Sequence, residues 1–259
     1  MRHLLFIPVY NCENQIIRVL DKINNSECIK FFDEILIIDN RSQDQTIENI
    51  KKILEELSCK KFSLYQNDQN YNLGGTHKVA FNYAIENNYD YVSILHGDDQ
   101  GDIDDLVKIF DDGKYINYDC ILGSRFASKS KLINYPKFRI YANYLINLAA
   151  SIVTFKFLTD LGSGINMFKV SYLKNKFYLD FPNDLTFNYC LIFYICMSKA
   201  KFFYFPITWR EDDQLSNVKL FSHAVRWSKI LFSYIFNKKM LFKNINLREL
   251  GYSFKKLFS

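Results

Sequence analysis

His96, Asp98, Asp99 and Gln100 place four nitrogen and oxygen donors within five residues, directly after the apolar run at residues 91–95. An apolar run of that length fits a strand buried in a parallel sheet. The polar group then falls at the strand's carboxyl end, which in an open α/β sheet is where ligands bind. A divalent cation holding a diphosphate takes hard oxygen donors and leaves room for phosphate oxygens, and Asp98, Asp99 and Gln100 supply such donors within one turn. The competing reading is a solvated acidic turn capping the next helix, since Asp102, Asp104 and Asp105 follow.

The elements that must position these groups repeat along the chain. Residues 3–10 read as a strand running into the polar turn 11–14 and a helix; residues 34–38 repeat the pattern with Asp39 at the strand end. Polar groups therefore sit at the ends of three apolar strands. Strand and helix alternate to about residue 125, as in a doubly wound sheet. Helices are expected at 14–24, 46–57, 75–87 and 102–110. After Arg125 the character shifts to two helices with few charges, at 141–157 and 185–198. Neither reaches the ~20 continuous apolar residues of a membrane span, and their aromatic and apolar stripes read as core in preference to lipid contact.

On these residues the chain resembles the family 2 glycosyltransferases, inverting nucleotide-sugar enzymes of GT-A fold. Pro8-Val9-Tyr10-Asn11-Cys12-Glu13 is similar to their opening motif, residues 39–44 to their Asp-Gly-Ser-x-Asp turn, and His96-Gly97-Asp98-Asp99-Gln100 to their metal-binding motif. Residues 70–80, with Asn72 and Gly74, resemble the Asn-x-Gly turn, and residues 121–126, with Arg125, the Gly-Ser-Arg strand. Residues 160–169, with Ser163 and Gly164, resemble the acceptor-side segment, and residues 181–187, with Asp184, the stretch opening the next helix. Ile207-Thr208-Trp209-Arg210, with Ser216 and Lys219 beyond it, resembles the basic loop that closes the site. Together these cover roughly residues 3–220 and narrow the likeness toward polyprenyl-phosphate mannose and glucose synthases.

The resemblance implies a GT-A fold, a mostly parallel sheet flanked by helices, over residues 1–218, with a basic amphipathic helical tail at 219–259. It implies sugar transfer with inversion from a nucleoside-diphosphate sugar to a membrane-associated acceptor, a polyprenyl phosphate or a lipid-linked or capsular glycan. Mn²⁺ or Mg²⁺ would be held by Asp98, with His96 and Gln100 as further ligands. His96 stands where the family motif has its first carboxylate, and imidazole suits Mn²⁺ better than Mg²⁺. Pro8 and Tyr10 would wall the nucleotide pocket and Asp39 would accept a hydrogen bond from the base. Asn11, Glu13, Asn72, Gly74, Asp99, Ser163 and Gly164 complete the expected substrate contacts. Arg210, Ser216 and Lys219 would meet phosphate, and Arg125 would orient Asp98 or the donor, or form a buried ion pair. Asn183 replaces an acid found in many relatives, leaving Asp184 as a general base for a hydroxyl acceptor or a positioning residue for an ionised phosphate.

Composition agrees. The 259 residues suffice for one large α/β core. The six cysteines contain no Cys-x-x-Cys pair, so neither a disulfide framework nor a zinc site is expected. The apolar run at residues 4–10 is too short for a signal-peptide core and leads into a polar turn, which points to the cytoplasm. Residues 219–259 hold nine Lys or Arg against one acid, a charge of +8 where the whole chain carries +5. Interleaved with aromatic residues, that tail reads as a docking surface for the anionic inner face of the plasma membrane. Nucleic-acid binding ranks lower, because the carboxylate-rich cleft would repel a polyanion. A nucleotidyltransferase and a non-catalytic nucleotide-sugar-binding module are the alternatives, the former lacking its Gly-rich basic loop after the first strand.

Overall fold

The computed structural model describes residues 1–57, 59–213, 220–242 and 251–258. The chain opens with β1 (His3–Val9), α1 (Gln15–Asn25), β2 (Glu34–Asp39), α2 (Thr46–Glu56), β3 (Phe62–Asn67), α3 (Asn72–Glu86) and β4 (Tyr91–Leu95). Then come α4 (Val107–Asp112), β5 (Cys120–Ser124), β6 (Lys131–Ile133), α5 (Lys137–Thr154), β7 (Ile165–Lys169), α6 (Val170–Leu173), α7 (Phe187–Met197), β8 (Phe202–Pro206) and β9 (Thr208–Arg210). Helices α8 (Leu220–Phe236) and α9 (Lys238–Leu241) and strand β10 (Phe254–Phe258) follow.

The large sheet has the order β10-β3-β2-β1-β4-β7-β5-β8. Strand β1 pairs parallel with β2 on one side and β4 on the other, and β2 pairs parallel with β3. Strand β7 runs antiparallel between β4 and β5, and β5 pairs parallel with β8. The chain thus winds outward from β1 through β2 to β3, then returns to place β4 on β1's other flank. That reversal opens a crevice at the carboxyl ends of β1 and β4.

Both faces of the sheet are covered, as runs such as residues 4–7 require. Leu4 and Phe6 enter one apolar cluster and Leu5 and Ile7 the other, the two-residue alternation of a strand. Val79 and Phe81 of α3 and Phe187 and Phe193 of α7 close the first face; Ile16 and Leu20 of α1 and Ile50 and Leu54 of α2 close the second.

Helices α1 and α2 lie within a residue or so of expectation, but α4 starts five residues after the expected position 102. The Asp102 carboxylate accepts the Asp104 N–H and holds residues 103–106 in a tighter turn. Two expectations are overturned. The stripe on the helix expected at 141–157 is not core: Tyr141, Leu145, Leu148 and Ile152 of α5 face solvent, and the helix stops at Thr154 because Phe155 is left-handed, with φ 54°. Nor is the tail helical throughout. Strand β10 pairs antiparallel with β3, with a register shift after Lys256, and covers an edge that β3 would otherwise leave open.

Lys78 of α3 ties distant segments together. Its fully buried ammonium donates to the carbonyls of Leu179 (3.1 Å) and Phe181 (2.5 Å), to Asn183 Oδ1 (2.8 Å) and to the Tyr252 hydroxyl (3.2 Å). Burial pulls its pKa down to about 8. The folded pKa therefore lies below the free-lysine value of about 10.4. The cost of keeping the group charged is complete below pH ~8 and fades as pH rises toward the unfolded value. Lys78→Met should strand its acceptors and cost about 2–4 kcal/mol in urea unfolding at pH 7. Wild-type stability should gain on the variant's between pH 7 and 9.5, and parallel pH profiles would show that Lys78 is not the titrating group.

Candidate active site

A cavity of about 420 Å³ occupies the crevice at the ends of β1 and β4. Pro8 and Tyr10 line it, with Asn40 and Asn70. Asn72 at the start of α3 and His96 and Asp98 after β4 also line it, and Asp184 and Arg226 reach it from the other side.

The loops after β1 and β2 are joined by side chains that the sequence offered as substrate contacts. Asn11, left-handed at φ 47°, donates its N–H to Ser42 Oγ (2.9 Å) and accepts the Gln43 N–H at Oδ1 (2.8 Å). Glu13 Oε2 accepts the Gln45 N–H (2.9 Å). Asp39 is fully buried, and its carboxylate accepts the N–H groups of Arg41 and Ser42 and the Gln66 amide. Asn11, Glu13 and Asp39 thus shape the loops, while Asn40 reaches the cavity. Gly74 has a packing role: a Cβ there would lie 2.6 Å from the Pro182 carbonyl oxygen, and its N–H donates to the Asn183 carbonyl (2.6 Å). That close approach sets the position of the Asp184 loop.

His96 Nδ1 lies 4.0 Å from Asp98 Oδ2 on the cavity wall. Burial, with help from the Arg125 charge, pushes the imidazole pKa down to about 4, so the ring is neutral at pH 7 and offers a lone pair. Burial also lifts the Asp98 carboxyl to about 6. A neutral imidazole and a carboxylate side by side suit one borderline-soft divalent cation, the other positions falling to phosphate oxygens or water. The donor set is smaller than expected. Gln100 donates its N–H to Asp98 Oδ1 (3.2 Å) and accepts from the Arg210 N–H (2.9 Å), but its side chain is not on the wall. Asp99 is left-handed, φ 58°, and turns to Arg18 at 2.6 Å. Among the described residues no group of three or more His, Cys, Asp or Glu converges as a metal site.

Arg125 takes the ion-pair role. Its guanidinium donates to both Asp160 oxygens (2.8 and 2.7 Å); burial alone would favour loss of its proton, but the carboxylate outweighs this and raises the pKa. The same carboxylate accepts the Gly162 N–H (3.0 Å), so the fork fixes the turn carrying Ser163 and Gly164. Ser163 donates to the Ile165 carbonyl (3.1 Å) and is buried there. Gly164 backs the site directly: a Cβ would stand 3.0 Å from His96 Nδ1.

Asp184 Oδ1 accepts the Thr186 N–H (2.9 Å) just before α7, and Oδ2 pairs with Arg226 at 2.9 Å. Arg226 is the one cation among the described lining residues, and in the sequence it is one of nine Lys or Arg in the tail. Nothing in the charge pattern distinguishes it; only α8 folding back over the Asp184 loop does. Arg210 lies on β9 with its side chain off the cavity wall, and Ser216 and Lys219 fall outside the described residues.

A mostly parallel sheet with this crevice is the GT-A fold, and solved glycosyltransferases share it. TarS of S. aureus in complex with UDP-GlcNAc superposes with a TM-score of 0.61 at 16% identity, covering 92% of this chain and 67% of that one. A mannosyltransferase from Pyrobaculum calidifontis in complex with GDP-Man and Mn²⁺ gives 0.59 at 18%, covering 92% and 63%. The chain belongs to glycosyl transferase family 2, whose model matches residues 5–177. It is 26% identical over 184 residues to the UDP-N-acetylglucosamine–dolichyl-phosphate N-acetylglucosaminyltransferase of Methanococcus voltae, covering 66% of this chain and 70% of that protein. An uncharacterized protein of Methanocaldococcus jannaschii is 25% identical over 62% of each.

Asp160→Asn should leave Arg125 buried without its counter-charge and cost about 3–5 kcal/mol in denaturant unfolding. Replacing both partners, Arg125→Met with Asp160→Leu, should recover much of that loss, whereas additive losses would mean the pair is not acting as one unit.

Proposed function

We propose that this glycosyltransferase moves a sugar from a nucleoside-diphosphate donor to an ionised phosphate on a lipid, a polyprenyl phosphate. The observation that carries the acceptor class is Arg226, a cation paired with Asp184 on the wall of the cavity that His96 and Asp98 also line. The match to a dolichyl-phosphate transferase supports the same reading. The donor base would lie along Pro8, Tyr10 and Asn40, with its diphosphate toward His96 and Asp98. A Mn²⁺ or Mg²⁺ ion bound by these two residues would neutralise diphosphate charge and act as Lewis acid toward the leaving group.

The remaining chemistry falls to positioning. An acceptor phosphate oxygen attacks the anomeric carbon from the face opposite the diphosphate, the carbon–oxygen bond to the donor breaks, and its electron pair leaves with the nucleoside diphosphate. Such a nucleophile needs no base at pH 7. Asp184 accordingly holds Arg226 in place until phosphate competes for it; an exposed pair of this kind is worth only about 0–1 kcal/mol. A lipid-linked or capsular glycan acceptor would instead require Asp184 as base. The basic tail and a peripheral position on the inner membrane face belong to this proposal. Among the described residues no helix is long and apolar enough to cross a membrane.

Three measurements test the reading. Asp98→Asn should keep the fold and lower metal-dependent turnover about 10²–10³-fold, the scale of losing one preorganised electrostatic group; full activity would remove Asp98 from the site. Arg226→Gln should raise KM for a short-chain polyprenyl phosphate about ten- to hundredfold, the loss of one charge-assisted bond, with little effect on donor hydrolysis. Thermal shifts with UDP-, GDP- and dTDP-sugars, with and without Mn²⁺, should single out one base. A flat panel would favour a different ligand class.

A further inference from the structure

Helix α5 is built inside out. Its inward positions carry Asn147, Ala150 and Thr154, while Phe138, Tyr141, Leu145, Leu148 and Ile152 are exposed along the opposite side. These five recur at intervals of three and four residues and so form one stripe. Phe155 and Phe157 continue the apolar surface past the helix end, 92% and 84% exposed. The inward polar groups are satisfied, which shows that the orientation is held. Asn147 donates to the Thr159 carbonyl (2.6 Å), and Ser151 Oγ accepts the Leu158 N–H (3.0 Å). A contiguous exposed apolar surface of this kind marks an interaction site.

We infer that the α5 face docks on an anionic lipid bilayer, lying in the interface with Phe155 and Phe157 inserted at its end. The charge around the stripe selects this occupant. Residues 127–158 hold five Lys or Arg and no Asp or Glu; Arg139 is paired with Glu211 at 2.9 Å, while Lys129, Lys131, Lys137 and Lys156 are exposed. A second copy seated face to face would oppose these cations with their own counterparts, whereas anionic headgroups neutralise them. Tyr141 and Tyr144, half apolar and half polar, suit the headgroup level. The inference deepens the lipid-acceptor reading and rests on it for its purpose: α5 packs on α8, the helix that carries Arg226 to the cavity wall, so a docked α5 brings that wall toward the membrane surface.

The test is flotation of the full chain with phosphatidylcholine vesicles containing about a quarter phosphatidylglycerol, at low and high salt. Wild type should float at low salt and be partly released at high salt. The double variant Leu148→Gln/Phe157→Gln, at two exposed positions outside the cavity, should lose vesicle partitioning about tenfold or more while keeping its melting temperature and its donor-induced thermal shift. No flotation of wild type, or equal flotation of the variant, overturns the inference. So does light scattering that finds a wild-type dimer abolished by the same variant, which would give the face to a second copy. Transfer to a water-soluble short-chain polyprenyl phosphate is measured alongside. Transfer without flotation sinks this inference alone, and flotation without transfer sinks the acceptor reading alone.

Discussion

Parallel pairing of β1 with both β2 and β4 is the constraint on which the site depends. Only parallel neighbours deliver their carboxyl ends to the same edge of the sheet, so the loops bearing Tyr10, Asn40 and Asp98 can meet at one cavity. The outward winding to β3 and the return to β4 separate the loops enough to leave a crevice. The strand-end loops supply much of the cavity wall, and Asn72 at the start of α3, Asp184 before α7 and Arg226 of α8 complete it.

Two buried charges hold segments beside the cavity, Lys78 near Asp184 and Arg125 near His96. Lys78 gathers the carbonyls of residues 179–181 and the Asn183 amide beneath α3, and through Tyr252 links them to the last strand. Arg125 forks onto Asp160 and fixes the turn whose glycine lies against His96. Buried pairs of this sort add little net stability, since desolvation offsets most of the attraction, but removing one partner is costly. Their effect is to specify one arrangement of segments whose apolar residues, such as Leu161 and Phe181, are packed in the core.

The contrast between α5 and α7 shows how much the surroundings decide. Both are apolar helices with few charges, and α7 is buried nearly all round, Phe187, Leu191 and Phe193 included. Helix α5 turns its small and polar residues inward and leaves its large apolar ones outside. The hydrophobic effect favours covering such a surface, and the chain's own core does not do so.

The strand-end motifs, the doubly wound pattern to residue 125 and the place of Asp98 and His96 at a strand end were legible in the sequence, because strand burial is local in the chain. Helices α1 and α2 followed from periodicity for the same reason. Tertiary structure alone decided the rest. Asn11 and Glu13 brace the loop after β2 through partners some thirty residues away, and Asp39 reaches Gln66 as well as its own turn. Asp99, left-handed, pairs with Arg18 off the cavity wall. Arg226 entered because α8 returns over the Asp184 loop, β10 became a strand because β3 offered an open edge, and the α5 stripe went outward because Asn147 and Ser151 found partners within. A helical pattern tells which residues share a face, but only the packed neighbours determine whether that face looks in or out.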